Sequence, residues 1–496
     1  MFGRGHDGPA SAGRSEPTHV IARCCRLLAL SPRELVALVA AFALTLPAVT
    51  PRIYSSDEVQ YFSYLRSLWF DGDVSFENEY RHFYERGFAN AEGFHETLLE
   101  RETPAGRRIN FGTIGCALLW APFYAVADAG ARLARSFGSN VAIDGFSRPY
   151  VAAVAYGSAF YGFAAILLSI AAARRLTGTG PLAGVIVWLG TPLLFYMYVA
   201  PPMSHACSAF AVALFVTVWL QARKDWSVRW MAALGASAAL MAMVREQDAF
   251  FALGAVADYG WHSAQRFQKT RGRRQETGGA WGGLAAPFTA IAAFALTYLP
   301  QVLAYQALNG HPGPSRLVTR KMSWYAPHAL QVLGSPEHGF LLWTPLAVLS
   351  LAGLGFLAFR SKSEDARVIG RASLIMVALQ VYVSGSVESW TVAGAFGQRR
   401  FVALTLLLVV GLAAVWRAVP AGVPRTTVTV FSALAVWWNI ALMAQFATRL
   451  MDRQRLDVGR NAYHAFVTLP RMAPHLAYRY FADRESFYES RSSGTR

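Results

Sequence analysis

Residues 149 to 175 read PYVAAVAYGSAFYGFAAILLSIAAARR. The first 25 carry no charge, and two arginines close the run. A helix of that length covers about 37 Å, enough to cross the roughly 30 Å hydrocarbon core of a bilayer. Backbone groups in hydrocarbon must be satisfied within the segment itself, so an isolated apolar run of this kind is a helix. Similar blocks recur at about 34–50, 181–198, 204–221, 229–244, 249–261, 281–306, 340–359, 370–386, 401–416 and 426–446. The expected fold is an all-α integral membrane protein, a polytopic bundle of about eleven transmembrane helices. Its first extracytoplasmic loop is long and partly helical.

Composition agrees. The 496 residues are 54% hydrophobic and only 15% charged, where a soluble chain carries about a quarter charged residues. The net charge of +16 raises the question of nucleic acid. The basic residues instead occupy short loops between apolar blocks, which is a topology signal, and no nucleic-acid partner is expected. Residues 1–33 read as a disordered cytoplasmic N-terminus, with Arg23, Arg26 and Arg33 ahead of a permanent first anchor. Residues 34–446 form the transmembrane domain, and 447–496 a tail outside the cytoplasm. Cys24, Cys25, Cys116 and Cys207 lie in or beside apolar blocks without metal-ligand spacing and read as buried, inert thiols.

The first outer loop spans 53–148. Its stretch from 53 to 110 holds eleven acidic and six basic residues, interleaved with Tyr54, Tyr61, Phe62, Tyr64, Trp69 and Phe70. The run FGTIGCALLWAPFYAVAD at 111–128 is apolar but broken by Gly112, Gly115 and Pro122. If it crossed, Arg174-Arg175 and every later basic loop would change sides. Laid along the outer interface, it leaves Arg174-Arg175, Arg223-Lys224, the run 266–274, 360–371 and 417–425 all in the cytoplasm, as the positive-inside rule asks. No convincing internal repeat is present, which disfavours transporter folds built from repeated halves.

Four clusters then share the outer face. Ser55-Ser56-Asp57-Glu58 follows the first span; its carboxylates suit a catalytic base or a divalent cation, and the same residues suit a helix start. His205, after Pro201-Pro202-Met203-Ser204, has three readings: metal ligand, proton carrier or helix-start residue. Arg245-Glu246-Gln247-Asp248 interrupts an apolar stretch, either as an internally paired hairpin tip or as a contact to a bound anion. The fourth cluster joins Arg316, Arg320, Lys321, Glu337 and His338 to Glu388, Ser389 and Arg399-Arg400. Paired arginines outside run against the topology bias and suit a phosphate, or they snorkel to head groups. At a helix start, side chains about 100° apart are expected to turn only one of the two into a shared cavity.

In this order the clusters resemble the GT-C superfamily of membrane glycosyltransferases. That group includes the protein O-mannosyltransferases, the aminoarabinose transferases of lipid A and other bacterial members. The similar stretches are Asp57-Glu58, GTIGCALLWAPFY (112–124), GTPLLFY with SHA (190–206), SPEHGFLLWTP (335–345) and SWTVAGAFGQRRF (389–401), so the likeness covers about 54 to 401. It implies transfer of a hexosyl or pentosyl group from a polyprenyl-phosphate donor to a lipid, glycan or protein hydroxyl, with inversion. The place implied is the outer face of a bacterial inner or plasma membrane. It implies Asp57 as base with Glu58 beside it, and Arg399, Arg400 and Arg245 on the donor phosphate. His205, Glu337, His338 and Glu388 remain further candidates. A divalent cation is an optional cofactor; relatives carry a second acidic motif, for which this chain offers only Glu246-Gln247-Asp248 and Glu337. The competing readings are a transporter or flippase of a lipid-linked glycan, and a glycan polymerase or ligase.

Overall fold

The computed structural model describes residues 25, 28–87, 93–271, 281–392 and 394–487. Arg23, Cys24 and Arg26, Glu92 of the acidic loop, and 272–274 of the basic run lie outside the described residues. Among the described residues the chain is helical, with no strand and two isolated bridges, Glu102 to Arg108 and Met322 to Val387.

The principal helices are α1 (Pro32–Thr45), α2 (Ser56–Arg66), α3 (Glu77–Glu85), α4 (Gly115–Ser136), α5 (Arg148–Thr177), α6 (Pro181–Gly190), α7 (His205–Ala222), α8 (Val228–Val244), α9 (Ala252–Arg271), α10 (Trp281–Asn309), α11 (Leu346–Arg360), α12 (Glu364–Ser386), α13 (Thr405–Ala418), α14 (Val423–Thr448) and α15 (Leu469–Ala482). Among the described residues six stretches are long and apolar enough to cross a membrane: 148–177, 205–222, 285–309, 364–386, 399–418 and 423–448. Helices α6, α8 and α11 are apolar but shorter. The protein is therefore an all-α chain of membrane type. Its core is one large apolar cluster, to which α5, α7, α8, α11 and α13 contribute most, with a small second cluster at Ala441, Ala465 and Leu469. Helices α11 and α13 meet through glycines. A Cβ on Gly353 would stand 1.8 Å from the Gly411 carbonyl oxygen, so only hydrogen fits there.

Two apolar blocks are broken rather than continuous. The block 181–198 splits into α6 and a turn at Leu193–Tyr198, and the block 340–359 splits into Phe340–Trp343 and α11. Both breaks fall at Thr-Pro, Thr191-Pro192 and Thr344-Pro345. Proline lacks the amide that would continue the helix and pushes the residue before it out of the helical region. The carbonyls so released are met from α14. Asn439 Nδ2 donates to Leu189 O (2.8 Å) and Thr191 O (3.0 Å), and Trp438 Nε1 donates to Leu342 O (3.2 Å).

Charge separates the two ends of the bundle. At one end Arg174 pairs with Glu34 at 2.6 Å, and Arg223 pairs with Asp258 and with Asp365. Arg175 stands within electrostatic reach of Arg223 and Asp365. At the other end lie the starts of α2 and α7, the ends of α8 and α12, and the turn Arg399–Leu404 that leads into α13. Helix α4 begins at this second end, where Thr113 Oγ1 donates to Val244 O (2.9 Å). It runs antiparallel along only the first half of α5: Trp120 Nε1 donates to Ser158 Oγ (2.8 Å), Tyr161 OH to Leu119 O (2.9 Å) and Tyr150 OH to Asp128 Oδ1 (2.7 Å).

Candidate active site

The site starts from a helix cap. Ser55 is the N-cap of α2; its Oγ accepts from Glu58 N (3.3 Å), and Glu58 Oε2 accepts from Ser55 N (2.9 Å) and Tyr54 N (2.6 Å). This reciprocal pairing satisfies orphan amides of the first turn. It turns Glu58 into the protein, where it is 1% exposed. Burial pushes its carboxyl up to about 7 against the pull of the amides. Glu58 faces a separate, largely apolar cavity of about 750 Å³. Asp57, one residue earlier, points the other way and meets Arg399 Nη1 at 2.8 Å.

That ion pair lies in the wall of a cavity of about 450 Å³, to which Asp57, His205, Arg245, Lys321, Arg399 and Arg400 all contribute. Both arginines of the pair line it, contrary to the expectation that one would turn away. The reason is local. Residues 399 to 404 form a tight 3-10 turn rather than a regular helix, and both guanidiniums are bent back into the space. Arg400 is held there by Ser389, donating to its carbonyl at 2.9 Å and its hydroxyl at 3.1 Å. Gly397, with φ +61°, makes the bend; a Cβ there would lie 2.8 Å from Pro192.

Arg245 Nη1 lies 3.2 Å from His205 Nδ1. A guanidinium only donates, so this nitrogen is the acceptor and the imidazole proton sits on Nε2. The carboxylates beside Arg245 are spoken for: Glu246 accepts from Tyr305 OH (2.5 Å) and Asp248 from Ser208 Oγ (2.6 Å). Both are pushed up by burial, Asp248 to about 6. The cluster is not internally paired: its acids accept from Tyr305 and Ser208 outside it, while Arg245 opens on the cavity. The lining cations Arg245, Lys321, Arg399 and Arg400 face the lining carboxylates Asp57 and Glu246.

The remaining candidates do not line this cavity. His338 is buried, stacks on Trp343 (centroids 4.8 Å apart) and donates from Nε2 to Ala395 O (2.9 Å). Gln398 Nε2 donates to Trp390 O (3.1 Å), and Tyr196 OH donates to Phe396 O (3.1 Å) and accepts from Phe396 N (3.2 Å). The stretches 190–196, 335–345 and 389–401 are thus tied into one knot beneath the arginines. Glu337 and Glu388 are exposed outside it. Among the described residues no three His, Cys, Asp or Glu side chains come together as a metal would need. Asp57, the carboxylate with most access to the cavity, is occupied by Arg399, so these residues do not fit a protein-held cation. Cys25, Cys116 and Cys207 are buried free thiols.

Among the lining residues that the sequence reading did not single out as site residues are Tyr61, Thr113 and Lys321. Tyr61 had a signal, since it lies four residues after Asp57 and so on the same helix face. Lys321 was visible only as one cation among three in its loop, and Thr113 carries no signal of its own. No protein-family model matches the chain, and no curated protein sequence does either.

Proposed function

We propose that the chain is a membrane glycosyltransferase of the GT-C kind, moving a sugar from a polyprenyl-phosphate donor to an acceptor hydroxyl with inversion. The observation that carries this reading is the shared cavity of Asp57 and the Arg399-Arg400 pair, residues more than 300 positions apart in the chain. Each supplies a part that such a reaction needs. A donor phosphate entering the cavity competes with Asp57 for Arg399 and takes Arg400 and Arg245 as further partners. Asp57 is then released as a free carboxylate, so the base is armed only when donor is bound. It takes the proton of the acceptor hydroxyl as that oxygen attacks the anomeric carbon. The bond from that carbon to the phosphate oxygen breaks, and the electron pair leaves on the phosphate. The guanidiniums face the charge that grows there, where such contacts lower the barrier most. His205, carrying its proton on Nε2, is a second donor toward the same charge.

The topology that goes with this reading has eleven spans, an inside N-terminus and an outside C-terminus. The broken blocks 181–198 and 340–359 each count as one span, and α4 does not cross. The cavity then opens on the outer face of a bacterial plasma membrane.

The test is transfer by the purified chain from a panel of polyprenyl-phosphate sugars. Asp57→Asn should lower turnover at least about a hundredfold, the lower end for a general base, and keep donor binding. Near-normal turnover by a folded Asp57→Asn protein removes Asp57 from the chemistry. No transfer from any member of the panel overturns the donor class.

A further inference from the structure

A different cavity, of about 600 Å³, draws its walls from four separate parts of the chain: 50–53, 82–86, 146–151 and Arg484. Arg52, Arg86, Arg148 and Arg484 line it together with His82, and among the described residues no carboxylate lines it. Its floor is apolar, with Phe83, Phe146 and Val151 among the lining residues. His82 stacks on Phe146 at 3.9 Å between ring centroids. Asp144, in the same loop, is spent on the backbone amides of Phe146 (2.9 Å) and Ser147 (2.8 Å). Arg484 donates to Pro47 O (2.6 Å), Ala48 O and Thr50 Oγ1 (2.9 Å), which pins the C-terminal segment across the exit of α1. Its Nε–H is buried and has no partner among the described residues. Arg86 and Arg148 are exposed and form no ion pair among the described residues.

Cations gathered on a concave wall repel one another, and an anion between them turns that repulsion into attraction. The place narrows the choice. Arg148 opens α5, a helix long enough to span, and Arg52 follows the end of α1 by a few residues. On the membrane reading, the cavity therefore lies where α5 leaves the hydrocarbon, beside the end of α1, at the level of lipid headgroups and at the same end as Asp57. A phosphate is the anion chemistry found there, and guanidiniums recognise it through paired hydrogen bonds.

We infer that this arginine-lined cavity is a second anion site, distinct from the Asp57 cavity, that takes a phosphate-bearing group of net negative charge at the membrane surface. It rests on the membrane reading of the chain and not on glycosyl transfer. The full chain in non-ionic detergent is titrated with short-chain phosphatidylglycerol, short-chain phosphatidylcholine and inorganic phosphate, with binding read by calorimetry. Wild type and Arg400→Gln, which disables the first cavity, should bind phosphatidylglycerol alike through this site. The double variant Arg86→Gln, Arg148→Gln should bind at least about tenfold more weakly, the least expected from losing charge-assisted bonds. The difference should shrink at high salt. Arg86→Lys with Arg148→Lys should keep most of the binding, which separates lost charge from lost folding. Competition by inorganic phosphate alone assigns the site to a soluble phosphate, and its absence assigns it to the lipid headgroup; both sustain the inference. Equal binding of phosphatidylcholine, or unchanged binding by a folded double glutamine variant, overturns it.

Discussion

Adjacent residues on a helix point about 100° apart, and at Asp57 and Glu58 that rotation separates a cavity wall from a helix cap. The carboxyl of Glu58 is raised to about 7 by burial, above its ordinary value of 4.5. The folded state therefore holds its proton more tightly than the unfolded chain does. By linkage, its contribution to stability is full below about pH 4.5 and is lost as pH rises through about 7. Glu79, also raised to about 7 and facing Arg66, adds a slope of the same sign. Glu58→Gln should flatten, without abolishing, the fall in apparent melting temperature between about pH 5 and pH 8. An unchanged slope in that variant places the titration elsewhere. The arginines make a second test. Both line the cavity, so Arg399→Ala and Arg400→Ala should each weaken binding of a polyprenyl phosphate, by roughly 1.5–3 kcal/mol for a charge-assisted bond. Lysine at either position should recover only part, because the fork is gone. Normal lipid-phosphate binding in both alanine variants moves the phosphate to Arg245 and Lys321. At this scale the sequence was legible where charge stood in apolar surroundings, at Asp57, Arg245 and the arginine pair. At Glu58 it left two readings open, a helix start and a catalytic pair, because a capping box and a catalytic dyad share the same letters; the cap is what forms. It misjudged the pair because a 3-10 turn does not space side chains as an α-helix does.

Hydropathy found the long apolar helices because hydrocarbon selects runs of side chains, and it missed the breaks because it does not count backbone amides. Thr191-Pro192 and Thr344-Pro345 interrupt blocks that read as continuous, and both interruptions are mended by neighbouring positions of α14. Asn439 is 1% exposed, with its amide nitrogen shared between two carbonyls. Asn439→Leu should leave both without that donor, in surroundings without water, and cost about 1–3 kcal/mol for the unsatisfied groups. The expected readout is a lower melting temperature in detergent, together with easier proteolysis near residue 191. A variant as stable as wild type means that another donor serves the break. Element ends were legible in the same partial way. The run 111–128 was read as lying flat, whereas α4 starts inside the wall of the site and lies lengthwise against the first half of α5. Its glycines and Pro122 lowered the hydropathy without indicating what the helix packs on.

At the scale of the molecule, one end carries Glu34, Arg174, Arg175, Arg223, Asp258 and Asp365 in a network of pairs, and the other carries the two arginine-lined cavities. The short basic loops were expected on one side from their sequence alone, and three of them, at 174–175, 223 and 360–371, meet at one end of the bundle. That agreement concerns the two ends only; the proposed orientation, with this end in the cytoplasm, follows the bias of short basic loops toward the inside. In the proposed topology the cavities face outward, against that bias, which is where retained arginines need a reason such as a phosphate. A cysteine-free background with Ser139→Cys or Lys362→Cys separates the possibilities. Ser139 follows α4 in the loop to α5, and Lys362 lies between α11 and α12. A membrane-impermeant maleimide added to intact cells should label position 139 and spare 362 until the membrane is opened. Labelling of 362 alone inverts the molecule and turns both cavities to the cytoplasm. Labelling of both from outside means that the two loops do not lie on opposite sides, and the packing of α4 against half of α5 must then be read as part of a crossing.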